Sequence, residues 1–354
     1  MAADPDSFWQ SLDSLVRRDP ARRGVASFTS NGAPLCPGHL QASVLDLAAR
    51  ASAVAIVTGF CIVDAKPPAA ETDGPPGSLF LARALRSLGI DVALVTDRYA
   101  LAALEVGCDF LGIPRSVIHE IPLDGDHRPT TPGEPSRADQ WVDDFLGSAF
   151  GRRLSHLIAI ERVGPSHTER SLQAQRRTNA TPASEFQREV PPASRDVCHN
   201  MRGVAIDVWT ARAHRLFEVV AERDLPITTI GIGDGGNEIG MGAIPWEILR
   251  SAITVGPAAL VPCRIATDYT ILAGVSDWGA YALALALCRL RGLAEAARWT
   301  MEELRELIER LVGDAGLVDG VTGRREASVD GLPLATYLQV FAGIRAQCLG
   351  EIGA

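Results

Sequence analysis

Four short, largely apolar runs, at 53–58, 90–97, 154–160 and 227–232, constrain the fold of this chain more than any other feature. Strands that are apolar on both faces suit a parallel sheet covered by helices on each side. Weaker strand candidates lie near Ile253 and Leu260. Helical spacing marks 78–88, 99–110, 137–150, 210–223 and 277–291, and Thr300 with Glu303 forms a capping box opening 301–312. This alternation predicts an α/β protein, a three-layer α/β/α sandwich around a mostly parallel, Rossmann-like sheet. Residues 1–21 read as an N-terminal helical extension and 22–348 as a single large α/β domain.

Composition narrows the partners. The chain has 354 residues, a formal net charge of −9 and an isoelectric point near 5.3, which argues against nucleic acid or an anionic membrane surface. Lys66 is the single lysine among 34 basic residues and precedes Pro67-Pro68, so no P-loop is present. A pyridoxal phosphate enzyme would have to use Lys66 for its Schiff base, and none is expected. The seven cysteines include no CxxC pair, which excludes a zinc ribbon. The acidic start lacks a following apolar run, and the longest apolar stretch, 280–288, is too short to span a bilayer. A cytoplasmic location is expected. Trp278, Tyr281 and the apolar stretch to Leu290 fit either a subunit contact in a homo-oligomer or a buried core helix.

Ligands of α/β sheets bind beyond the carboxyl ends of the strands, so the residues just after each run are the candidates. Thr58-Gly59-Phe60 follows the first run, then Glu71-Thr72-Asp73-Gly74-Pro75-Pro76-Gly77, two carboxylates before a helix N-terminus. Such a terminus offers free N–H groups to an anion, while the carboxylates suit a cation or a base. After the fourth run comes Gly231-Ile-Gly-Asp-Gly-Gly-Asn-Glu-Ile-Gly-Met-Gly242, a formal GxGxxG. Asp234 and Glu238 inside it would face a pyrophosphate, so NAD is not expected. Asp234, Asn237 and Glu238 are instead oxygen donors for Mg²⁺ or Mn²⁺. Glu161-Arg162 follows the third run, and His199-Asn200-Met201-Arg202-Gly203 comes later. Arg162 and Arg202 are candidates to grip a carboxylate, and His199 is the best-placed histidine for acid–base work. The polar segment 164–200 reads as a lid or a solvated insertion, and 124–136 as a surface connection.

These segments, with 276–283 and 319–331, occur in the same order in the D-glutamate cyclase family, which the chain resembles from about Arg22 to about Ala346. The ETDGPPG and GDGGNEIGMG strings carry the resemblance. It departs at Ala243, where lysine is usual, and at Asp277, where asparagine is usual. The resemblance implies a hydro-lyase converting D-glutamate to 5-oxo-D-proline and water, assisted by a divalent metal. In that setting Glu71, Asp73, Glu161 and His199 would be catalytic. Thr58, Gly59, Gly74, Arg162, Asn200, Arg202 and Gly236 would contact substrate, with Arg202 on its α-carboxylate. Asp234, Asn237 and Glu238 would hold the metal, joined by Asp73. Two other readings use the same residues: a metal-dependent phosphoester hydrolase, and a non-catalytic protein that binds an amino acid.

Overall fold

The computed structural model describes residues 5–124, 135–175, 183–293 and 299–350. Its centre is a six-stranded sheet of β1 (Ala53–Thr58), β2 (Asp91–Thr96), β3 (Ile118–Glu120), β4 (His156–Ile160), β5 (Thr228–Gly233) and β6 (Tyr269–Leu272). The spatial order is β6-β5-β4-β1-β2-β3, and every neighbouring pair is parallel. The direction in which successive strands are added to the sheet therefore reverses between β1 and β4, the switch point at which doubly wound sheets open a crevice.

Successive strand residues face opposite sides, and each side has its own core. Val54, Ile56, Leu94, Ile158, Ile160, Ile230, Ile232 and Ile271 pack under α1 (Pro5–Val16), α2 (His39–Arg50), α3 (Pro75–Ser87), α4 (Arg98–Leu111), α10 (Ser276–Leu290), α11 (Met301–Gly313) and α12 (Leu334–Leu349). Ala55, Val57, Ala93, Val95, Leu157, Ala159 and Leu272 face α5 (Arg137–Gly147), α8 (His214–Glu222) and α9 (Trp246–Ala252). The result is the expected three-layer sandwich. Leu12 and Val16 of α1 are fully buried in the first core. From Ser276 to Cys288, α10 is buried by elements of its own chain, chiefly α3, α12 and α2, which accounts for its uniform apolarity.

The strand candidates near Ile253 and Leu260 need correction. Ile253 follows the helix α9, and Leu260 lies in a connection, so neither marks a strand. The sheet instead gains β3 and β6, whose sequences IHE and YTIL are too short or too polar to announce themselves. The stretches of α2 and α12 also went unassigned. Of the segment 164–200, residues 176–182 lie outside the described residues. Its remainder carries α6 (Glu169–Ala174) and α7 (Ala183–Glu189), with Phe186 of α7 packed edge-on to Trp246 of α9 at 5.2 Å. Most of the stretch 124–136 lies outside the described residues. No helix among the described residues is long and apolar enough to cross a membrane.

Candidate active site

Two helices converge on the switch point, and neither is capped by its own N-cap residue: α3 follows Gly74 and α10 follows Val275. They cap each other. Asp73, just before α3, accepts the N–H of Ser276 (2.8 Å) and of Asp277 (2.9 Å) at the start of α10. Asp277 in turn accepts the N–H of Gly74 (3.0 Å) and Gly77 (2.7 Å) at the start of α3. Each carboxylate satisfies donors that a helix end leaves unpaired. The hydroxyl of Tyr337, from α12, donates to the other oxygen of Asp277 at 2.8 Å and sits 2.6 Å from the hydroxyl of Tyr281. Burial pushes the Asp277 carboxyl up to about 7, while the Tyr337 hydroxyl and the Gly77 and Gly74 N–H groups oppose the shift.

Glu161, the residue after β4, takes a left-handed backbone with φ 45°. That conformation costs about 1–3 kcal/mol for a side-chain-bearing residue and persists only where its surroundings enforce it. It brings Glu161 Oε2 within 2.5 Å of the Ser276 hydroxyl, which donates to it. The loop after β5 then folds back over its own strand, because Gly231 leaves room: a Cβ there would lie 2.4 Å from the carbonyl oxygen of Ile239. Within this loop Glu238 accepts the N–H groups of Asp234 (3.2 Å), Gly235 (2.7 Å) and Gly236 (2.7 Å). The glycine-loop donors that a pyrophosphate would need are thus already engaged, as are the α3 donors that a phosphate would need.

Carboxylate oxygens of Asp73, Glu161 and Asp234 lie within 4.8 Å of one another, all buried. Glu71, paired through its backbone with Val318, adds a further buried carboxylate. Burial, and then the neighbouring negative charges, raise the proton affinity of Glu71, Asp73 and Glu161 well above the carboxylate range. Burial also raises that of Asp234, against the pull of Arg23. The cation inside this cluster is Arg23, 2.6 Å from Asp234 Oδ1 and 2.5 Å from Asp330 Oδ1. Sequence reading did not single out Arg23 or Asp330. Arg23 stands in no motif, and Asp330 lies within 319–331, a segment that entered only through the family resemblance. Asp319 of the same segment accepts Ser328 Oγ (2.7 Å) and the N–H groups of Val321, Thr322 and Gly331, and so braces it.

The remaining expected residues are distributed as follows. Thr58 is fully buried and its hydroxyl has no partner among the described residues. The carbonyl of Gly59 accepts Arg162 at 2.7 Å; Arg162 also donates to Ala211 O and pairs with Asp97, all inside the protein. Asn237 donates to the backbone carbonyl of His199 at 2.9 Å, which leaves the His199 ring buried with its Nδ1 unpartnered. Burial lowers the proton affinity of His199 against the pull of Asp207. Asn200 accepts the N–H groups of Arg202 and Val204 at 3.0 Å each, a local turn. Arg202 is 63% exposed and pairs with exposed Asp64 at 2.7 Å. The expected metal set therefore divides. Asp234 and Asp73 join Glu161 in the cluster, while Asn237 and Glu238 shape the loop that presents Asp234.

The chain matches the profile of the family described as "D-glutamate cyclase-like, C-terminal" over residues 12–184 and 188–345. It is 30% identical over 284 residues to the protein named "D-glutamate cyclase, mitochondrial" of Homo sapiens, across 78% of this chain and 38% of that protein. It thus spans well under half the length of this curated relative.

Proposed function

The chain belongs to the D-glutamate cyclase-like family, and from that premise we propose that it cyclises D-glutamate to 5-oxo-D-proline with loss of water. The observation that carries this reading is the convergence of buried carboxyl groups of raised proton affinity at the switch point, beside Arg23. The reaction forms a bond between the α-nitrogen and the γ-carboxyl carbon and breaks one C–O bond of that carboxyl. The α-ammonium must give up one proton before the nitrogen attacks and a second once the bond has formed, and the departing carboxylate oxygen must receive two to leave as water. No Ser or Cys nucleophile is required. Attack is intramolecular, so a site that holds the substrate folded removes much of the barrier.

In this reading Glu71 takes the amine proton and Glu161 delivers a proton to the departing oxygen. Both roles need carboxyl groups that hold a proton more tightly than a free carboxylate does, and burial raises the proton affinity of Glu71 and Glu161. Mutually repelling carboxylates share protons, so one is ionised while its neighbour is protonated. His199 suits an acid role less well, since burial favours its neutral ring. Ser276 fixes the orientation of Glu161, and Asp73 is itself fixed by the α10 N–H groups.

Asp73, Glu161 and Asp234 form an all-oxygen, anionic donor set that fits a hard divalent cation, and Asp234 Oδ2 is buried without a hydrogen-bond partner. A bound Mg²⁺ or Mn²⁺ would polarise the γ-carboxyl oxygens toward attack. The test is an NMR time course with D-glutamate and, separately, L-glutamate, each with Mg²⁺, with Mn²⁺ and with chelator. Signals of 5-oxoproline from the D isomer support the reading. No product from D-glutamate under any of these conditions removes it.

A further inference from the structure

An acidic substrate entering a cluster of buried carboxylates is repelled unless a cation receives it. Neither arginine singled out from the sequence offers a free fork there: Arg162 is spent inside the protein, and Arg202 lies on the exposed rim. Arg23 differs from both. Its backbone is held from two directions. Asp19 accepts the N–H of Arg23 and of Gly24 at 2.9 Å each. Thr254 Oγ1 donates to the carbonyls of Arg22 (2.8 Å) and Arg23 (3.1 Å). The guanidinium makes one contact to Asp234 and one to Asp330, never a two-oxygen fork with a single carboxylate. Arg23 remains 15% exposed, against 0% for Asp234 and 1% for Asp330, so it is the most solvent-accessible of the three. The second oxygen of each acid is buried without a hydrogen-bond partner.

We propose that Arg23, flanked by Asp234 and Asp330, is the recognition centre for the α-amino-acid end of the substrate. The guanidinium takes the α-carboxylate and the unpartnered oxygen of Asp330 takes the α-ammonium. The inference rests on the function proposed above and adds which substrate group Arg23 reads. A permanent guanidinium stabilises a carboxylate against protonation and against loss of an oxygen. It therefore suits the carboxylate that survives the reaction, and the γ-carboxyl is left to Glu161. Arg23 is a binding residue here; nothing requires it to exchange a proton.

The test compares D-glutamate with its α-carboxamide as substrates for the full chain, with folding checked by thermal melting. Wild type is expected to show a KM for the carboxamide about tenfold or more above that for D-glutamate, the loss of one charge-assisted contact. In Arg23→Lys the KM for D-glutamate rises about tenfold and the gap between the two substrates closes to about threefold or less, with kcat changed far less than KM. Should Arg23→Lys unfold, the double variant Arg23→Gln/Asp330→Asn, which leaves no lone charge at that pair, carries the same comparison. Equal KM values in wild type, or full discrimination retained in a folded Arg23 variant, overturn the assignment and leave the cyclase reading standing. Absence of turnover of D-glutamate by wild type overturns the cyclase reading itself, and the assignment with it.

Discussion

A methyl group at position 74 would lie 2.8 Å from both Glu161 Cβ and Thr58 Oγ1, and Gly74 has φ 98°. Crowding and backbone strain act together there, because the turn before α3 presses against the residue that follows β4. Gly74→Ala is expected to cost about 1–3 kcal/mol in urea unfolding and to abolish turnover, since relief of the clash displaces Glu161. Unchanged stability and activity would show that this contact is slack. Most of the acids at this scale were legible: Asp73, Glu161 and Asp234 reach the cluster, and Glu71 is a further buried carboxylate. Arg23 was not, because it lies 211 positions from Asp234 in the chain and sits among many arginines. The roles of Asn237 and Glu238 were hidden for a related reason. Sequence shows oxygen donors, but only geometry shows that Glu238 has spent its oxygens on its own loop.

The mutual capping of α3 and α10 joins the two halves of the sheet across the switch point. Its pH response follows from Asp277, whose carboxyl moves from 3.8 to about 7 on folding. The folded state holds that proton more tightly than the unfolded state. The contribution is therefore fully present below the unfolded value and is lost as pH rises through about 7. The melting temperature of wild type relative to Asp277→Asn should fall between about pH 4 and about pH 8, measured with chelator present. A constant difference across that range would contradict the account. Removing the phenol donor with Tyr337→Phe should destabilise by about 1–3 kcal/mol in urea unfolding, since it leaves an oxygen of Asp277 buried and unpaired. Equal stability of the two proteins would show that this hydroxyl is dispensable. At this scale the sequence announces helices by periodicity and buried strands by continuous apolar runs, and β1, β2, β4 and β5 were found as such runs. The three residues of β3 and four of β6 are too few for a period to register. The caps of α3 and α10 were illegible because each comes from the other half of the chain.

Across the whole molecule, the strand order puts its reversal between β1 and β4, and the residues that follow those two strands, with the loop after β5, build the cluster. The layer architecture was legible because alternating apolar strands and helices admit few arrangements. The strand order was not, because neighbours in the sheet are set by long-range packing. A cation bound among Asp73, Glu161 and Asp234 would stabilise the whole domain. Mn²⁺ at about a hundred times its dissociation constant should add about 2.7 kcal/mol to unfolding, and Asp234→Asn should remove most of that gain. The same gain in wild type and variant would exclude Asp234 from the metal site. The central claim is that a buried carboxylate at the switch point expels a γ-oxygen of D-glutamate as water. It is tested most directly by mass spectrometry of the reaction of D-glutamate carrying ¹⁸O at both γ-oxygens, with wild type and with Glu161→Gln. The account predicts 5-oxo-D-proline that keeps one labelled oxygen, the other appearing in water, and a rate lowered about 100-fold or more in the variant. No labelled lactam from wild type, or an undiminished rate in Glu161→Gln, would contradict it.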